Sequence, residues 1–470
     1  MRAPRLKMCA ACLALLLGGE AAAQTLAEAD GAAAMGLAGA CATVVRDPGA
    51  IWGNPALISE ASRSALVGLR LQNLTRAVQR ITVSPVPEAR DTAGVQLAPT
   101  VALAIPVWRS HLWIAAGYHM ALQVESRYPP AVITPSMGAV RPASARYRGL
   151  ESDIDQHLVS VGLAARFRWL AAGAVLELSH VRFRHRMALW AGYEADFQNA
   201  RFEREQLDAD AVLDGSNRLA VGARFGVWIQ PLRYLAAGVA LGLPAAVHLS
   251  GQWTLKAGTE APKESSAIAA QGVACADSGA CSGPARVDLH LPLRLRGGVA
   301  VGPPRLRVVL EGGLARWSPG GEVTAQLQDA SFAVKPKASA EEVVALESLP
   351  LAIELRDTFS VHAGLELVPW PGFLTVRTGY SYQRGATAPE APSSTVLDLD
   401  RHTWGIGIEA THGRLRFAAA VAQSFEETIL TTAERAVAQN PLDPAVTQSV
   451  GAGRYTTSSL RILLEVQVGF

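Results

Sequence analysis

Apolar and polar residues alternate over short stretches along most of the chain, the period of a strand whose two faces meet different surroundings. The C-terminal stretch LRILLEVQVGF shows it best. Leu460, Ile462, Leu464, Val466, Val468 and Phe470 fall on one face, and Arg461, Leu463, Glu465, Gln467 and Gly469 on the other. In RLAVGARFGVWI, Leu219, Val221, Ala223, Phe225, Val227 and Ile229 oppose Arg218, Gly222, Arg224 and Gly226. In DTFSVHAGLEL, Phe359, Val361, Ala363, Leu365 and Leu367 oppose Ser360, His362, Gly364 and Glu366. The pattern predicts fourteen strands, at 65–73, 97–107, 111–123, 156–167, 171–183, 218–230, 234–243, 289–302, 305–318, 357–368, 373–385, 401–411, 414–427 and 455–470.

The connections alternate as well. Six are short (WRS, RWL, PLR, PP, PWPG and HG), and the seven between them run from 15 to 45 residues. A soluble sandwich has no reason to gather every long loop at one end. A closed barrel across an outer membrane does: it has short turns on one side, long loops on the other, an even strand count and about ten residues per crossing. It must also close, because lipid cannot satisfy an open sheet edge. Trp108, Trp169 and Trp370 at the short turns suit an interfacial girdle, with Trp317, Tyr382, Phe425 and Tyr455 expected in a second one near the long loops. The expected fold class is all-β, a fourteen-stranded antiparallel transmembrane barrel.

Composition agrees. Of 470 residues 49% are apolar and 18% charged, with net charge +2, which excludes a disordered or nucleic-acid-binding chain. The N-terminus, MRAPRLKMCAACLALLLGGEAAAQT, has basic residues, an apolar run from Met8 to Leu17, and small residues at Ala21 and Ala23. It reads as a secretory leader over residues 1–23. Beyond it only residues 234–255 go twenty positions without charge, and Pro244, His248, Gly251 and Gln252 spoil that run as a transmembrane helix. Five cysteines shrink to three after cleavage. Cys275 and Cys281, in the polar stretch CADSGAC of an exported chain, are expected to form a disulfide, two unbonded loop thiols being the alternative. Cys41 reads as a small buried residue.

Residues 24–63 carry no alternation and are rich in alanine and glycine, which suits a segment folded inside a barrel lumen. Within it Asn54 is placed to cap a helical turn and Pro55 suits the first helical position, though Asn-Pro is also common in ordinary surface turns. The stretch GAAAMGLAGACATVVRDPGAIWGNPAL resembles the start of the FadL/TodX family of outer-membrane transporters for long-chain fatty acids and other hydrophobic compounds, whose hatch triplet falls here on Asn54, Pro55 and Ala56. LPLRLRGGVAVGPPRLRVVLEGGLARWSP (residues 291–319) and the hairpins at 357–389 and 398–425 look like later parts of that family. Leu57 departs from the glycine usual after the triplet.

The resemblance implies three domains: the leader at 1–23, a plug or hatch at 24–63 and the barrel at 64–470. It implies uptake of a hydrophobic molecule, which binds in an apolar pocket above the hatch and leaves when the hatch shifts. Exit through a kinked third strand belongs to that picture, and Gly117 is the position for the kink, or a plain small residue in a curved wall. A fatty-acid carboxylate needs a cation. Arg224, Arg294 and Arg307 are the candidates among inward-facing arginines that also include Arg296, Arg377, Arg416 and Arg461, while Glu311, Glu366, Glu409 and Glu465 face the same way and offer to pair with them. Expected surroundings are outer-membrane lipid and lipopolysaccharide in a Gram-negative cell, and the terminal Phe470 resembles the signal read by barrel-insertion machinery. A monomer suffices, since a plugged barrel needs no partner to close.

Catalytic residues, metal ligands, cofactors and nucleic-acid partners are not expected. His180 and His185 lie five apart, on opposite faces of a strand, and no nucleophile, histidine and acid come together in the sequence. A general porin lacks a dedicated hatch. The main alternative is a barrel that serves as an assembly or secretion scaffold for other proteins.

Overall fold

The computed structural model describes residues 31–470 apart from 82–85, 109–110, 135–138, 143, 190–207, 259–264, 318–321, 337–341, 391, 433–437, 441–442 and 449–450. The expected leader lies outside the described residues. Fourteen antiparallel strands form one closed ring. They are β1 (Ser64–Arg80), β2 (Gln96–Trp108), β3 (Leu112–Arg127), β4 (Glu151–Phe167), β5 (Leu170–Leu189), β6 (Ala220–Leu232), β7 (Leu235–Gly242), β8 (Leu293–Val301), β9 (Leu306–Arg316), β10 (Thr358–Trp370), β11 (Leu374–Gln383), β12 (Arg401–His412), β13 (Leu415–Glu426) and β14 (Gly453–Gly469). Each pairs with the next, and the ring shuts where β1 meets β14, from Ser64↔Gly469 to Arg80↔Gly453. The alternation read from the sequence corresponds strand for strand to this ring.

The outward face explains why the ring is in a membrane. Val67 is 58% exposed and Ile406 61%, whereas Leu66, on the inner face, is 2% exposed. Outward valines and leucines make the same belt on β2, β4, β6 and β9. Such a surface is stable only against lipid. Trp108, Trp169 and Trp370 are exposed at the tight turns, beside Phe167, Tyr234 and Phe373. At the loop end Phe359, Trp404 and Phe425 are exposed, and Tyr382 packs beside Phe359.

Two members of the expected outer girdle lie elsewhere. Trp317 is buried, its backbone N–H held by Asp357 Oδ1 at 2.8 Å. Tyr455 is buried with its hydroxyl on Gly451 O at 2.7 Å. Its odd number puts it on the face of Arg461 and Leu463, so the parity of β14 already directs it inward.

The strands outrun the bilayer at the loop end. β5 has 20 residues, about twice what a tilted crossing needs. Its outward face changes from Leu176 to Arg182 and Arg184 along the way. Above the belt, β7 and β8 continue as one ribbon into Ala245–Lys256 and Ala280–Leu291. The count across it is unbroken: Gly242 pairs with Arg294 and Ala245 with Leu291, which sets Pro244 opposite Pro292. The uncharged run at 234–255 is therefore two strand segments joined at a proline. Beyond that point the ribbon exchanges β6 for the strand Ala209–Ser216. Cys275 and Cys281 are bonded near the ribbon's far end, with Cα atoms 4.0 Å apart. The loop before β12 folds inward: Ser394 Oγ donates to Gly149 O (2.6 Å), and Tyr128 donates to Ser394 O (2.9 Å).

Candidate functional site: the lumen, its two chambers and a slot in the wall

Residues 31–61 lie inside the ring and are almost wholly buried. The short helix α1 (Ala32–Gly36) packs against β11–β14, and the 3-10 turns Pro48–Ile51 and Pro55–Glu60 against strands on the opposite side. Asn54 organises the second turn. Its Oδ1 accepts from Ala56 N–H (3.1 Å), while its Nδ2 donates to Ala42 O (2.8 Å) and Val227 O (3.2 Å). Pro55 occupies the first position of the turn, where its missing N–H costs nothing. Ala56 and Leu57 are fully buried. The wall fits this chain closely: a Cβ at Gly226 would overlap Asn54 Oδ1, and one at Gly238 would overlap Ala42 O.

Polar groups of the wall take up the segment's backbone. Glu311 accepts from the N–H groups of Cys41 (2.8 Å) and Ala42 (2.7 Å), and Glu465 from Ala32 N–H (2.9 Å). Arg296 donates to Gly39 O (2.8 Å) and Trp228 Nε1 to Thr43 O (3.2 Å). His362 Nδ1 lies 2.8 Å from Ala38 O, which assigns the proton to Nδ1 and leaves Nε2 to accept from Ser360. Burial pushes the Cys41 thiol up to about 11, against the pull of Arg296. Asp47, which caps the first turn through Gly49 N–H (2.8 Å), is raised by burial and by the Glu409 carboxylate.

The inward arginines mostly pair off. Arg307 meets Glu366 (3.4 Å), Arg377 bridges Glu366 (3.0 Å) and Glu409 (2.9 Å), and Arg416 meets Glu409 (3.2 Å). That belt lies beside residues 31–61 and lines neither of the two lumen chambers. Arg224 pairs with Glu177 (2.8 Å) and donates through Nη1 to Trp52 O. Arg294 stands apart from Arg307, between two cavities.

The larger cavity, about 270 Å³, lies toward the loop end. Leu122, Val124, Ile154, Phe183, Leu289 and Trp317 line it, with Val396 from the infolded loop. The smaller, about 40 Å³, is polar and lies deeper, between Trp52, His119, Ala121, Glu177 and Arg224. The two share Gln156, Leu291 and Arg294. Of the three arginines proposed from sequence, Arg294 touches both chambers, Arg224 the deeper one and Arg307 neither.

Beside the deeper chamber the wall is incomplete. The β2–β3 ladder runs from Trp108↔Leu112 to Thr100↔His119 and stops, although β2 continues paired with β1 to Gln96 and β3 continues paired with β4 to Arg127. The ladder ends where Pro99, which has no N–H, comes next. Side chains take over the stranded carbonyls: Arg70 donates to Met120 O (3.1 Å), and Arg76 (3.0 Å) and Gln96 (3.2 Å) to Glu125 O. Thr92 N–H on Arg127 O (2.8 Å) closes the slot above. The irregularity of β3 falls between Met120 and Leu122, where its register with β4 shifts. At Gly117 the pairing is regular on both sides. What Gly117 provides is room, since a Cβ there would sit 2.7 Å from Trp52 Cζ2. Pro99 within a strand pattern was the sequence signal for this slot. Trp52 and His119, stacked with ring centroids 4.5 Å apart, gave none.

A closed ring with a lipid-facing belt, two aromatic girdles and a segment folded within its lumen is a transmembrane barrel of the outer-membrane class. Its fold is that of the FadL/TodX barrels. A FadL homologue of Pseudomonas aeruginosa superposes with a TM-score of 0.70 at 15% identity, covering 96% of this chain and 100% of its own. The Pseudomonas putida toluene transporter TodX gives 0.65 at 16%, covering 94% and 99%. The Ralstonia pickettii toluene transporter TbuX gives 0.60 at 15%, again 94% and 99%. No family model matches the sequence, and no curated protein matches it.

Proposed function

We propose that this protein carries hydrophobic small molecules, long-chain fatty acids among them, across the outer membrane without energy input. The molecule binds in the apolar chamber, passes Gln156, Leu291 and Arg294 into the deeper one, and leaves through the β2–β3 slot into the bilayer when the segment 31–61 shifts as a hatch. One observation carries the reading: an apolar chamber joined to a second that borders a gap in the wall. The names of structurally similar barrels, two of them toluene transporters, support the class of cargo. Transfer of each methylene from water is worth about 0.8 kcal/mol, so an alkyl chain enters such a chamber spontaneously. Arg294, at the junction of the chambers, is placed for a carboxylate. The test is calorimetric titration of the delipidated protein with palmitate and with toluene. Saturable binding near one site, weakened by Phe183→Asp in the apolar chamber, is expected. Failure of both compounds to bind would overturn the reading and leave a barrel that holds other proteins.

A further inference from the structure

Trp52 occupies the threshold between the deeper chamber and the slot. It lines the chamber, and its ring is stacked on His119 (4.5 Å, 21°), the last residue of β3 to pair with β2. The edge of the indole against Gly117 is the Cε2–Cζ2 edge, from which Nε1 projects. The side chain is fully buried, yet Nε1 has no hydrogen-bond partner among the described residues. Buried donors are nearly always satisfied, and one left over at the mouth of a passage marks a place where an acceptor arrives. The backbone of Trp52 is meanwhile tethered to the chamber, because Arg224, already paired with Glu177, donates to its carbonyl oxygen.

Resting on the transport reading above, we infer that Trp52 is the shutter of the slot and a selectivity residue, one that distinguishes oxygen-bearing ligands from pure hydrocarbons. A carboxylate or hydroxyl oxygen reaching the deeper chamber accepts the indole N–H and competes with Trp52 O for Arg224. Both events loosen the ring from Gly117 and His119, and the slot opens to the chamber. A hydrocarbon does neither and leaves only when the ring moves of its own accord.

The experiment compares n-decane with decanoate, on the wild type and on Trp52→Phe, which keeps an aromatic ring and removes the N–H. Two quantities are read: affinity, and the ¹⁵N-indole signal missing from the Trp52→Phe spectrum. Decanoate is expected to shift that signal downfield and to bind the variant about tenfold more weakly, as loss of a hydrogen bond to a charged acceptor implies. Decane is expected to bind both proteins equally and leave the signal in place. Equal affinity of decanoate for both proteins, or an unmoved signal, overturns the assignment while the transport reading stands. Failure of the wild type to bind either compound removes both. Heat-modifiable gel mobility checks that the variant barrel is folded, and Trp52→His, which restores a ring N–H, should recover part of the decanoate affinity.

Discussion

Asn54 spends its amide on both sides of the seam between plug segment and wall, and that sets its cost. Asn54→Ala removes a cap worth about 1 kcal/mol and leaves the carbonyls of Ala42 and Val227 without their donor, for a weakening of roughly 2–3 kcal/mol in all. Cys41 is the free cysteine among the described residues and reports on that seat. With its thiol held up at about 11 it is protonated at pH 8, and its burial keeps reagents away. Maleimide should label it slowly in the wild type and about thirty to a hundred and fifty times faster in Asn54→Ala. Unchanged labelling would mean that Asn54 does not hold the segment down. Between its ordinary value of 9.0 and about 11 the folded protein keeps a proton that the unfolded chain has lost. Stability contributed by the neutral thiol is therefore complete below pH 9 and declines as pH rises toward 11, which a denaturant midpoint series would show.

Among the elements, the β2–β3 pair is where the proposed exit meets the wall. Ala98 and Ala121 flank the slot at positions that would oppose each other had the ladder continued past Thr100↔His119. Combining Ala98→Cys with Ala121→Cys and oxidising should close it. Decanoate binding should persist, delivery into lipid vesicles should fall at least tenfold, and reduction should restore it. Full delivery through the oxidised protein would refute lateral exit. The strands themselves were legible because each has a lipid face and a lumen face, and a period of two survives any detail of packing. Tyr455, expected in the outer girdle, shows the limit of position alone: its parity in β14 carries it inward. The ribbon beyond Pro244 was not legible as a continuation of the wall, since its partners, Ala209–Ser216 on one side and Glu322–Leu327 on the other, come from within the long connections, where alternation does not say which segments pair. Nor was the pairing of lumen charges. A residue's face follows from alternation, but whether Arg307 meets Glu366 or a ligand depends on register between strands. The slot lay between: Pro99 carried a signal for it that went unread within the strand expected at 97–107, while the glycine chosen for it, Gly117, is a seat for Trp52.

On the scale of the molecule, the ring encloses residues 31–61, which are almost wholly buried within it. If that segment is the barrier, deleting residues 31–61 should leave a ring whose lumen carries paired charges, with only the infolded loop before β12 across it. In planar bilayers single-channel conductance is then expected to rise at least tenfold over the intact protein, with folding checked by gel mobility. Conductance that stays low would place the barrier in the infolded loop around Ser394 and Val396 instead. The facing prolines, Pro244 and Pro292, have a consequence for descent with modification. Because the residue count across the ribbon is unbroken past the bend, a single insertion on one side would either have to be taken up in a bulge, as β3 does between Met120 and Leu122, or turn every later side chain from chamber to solvent. Where no bulge forms, length changes in matched increments on both flanks, so homologues should differ along this ribbon by symmetric steps, like a zip lengthened one tooth on each tape.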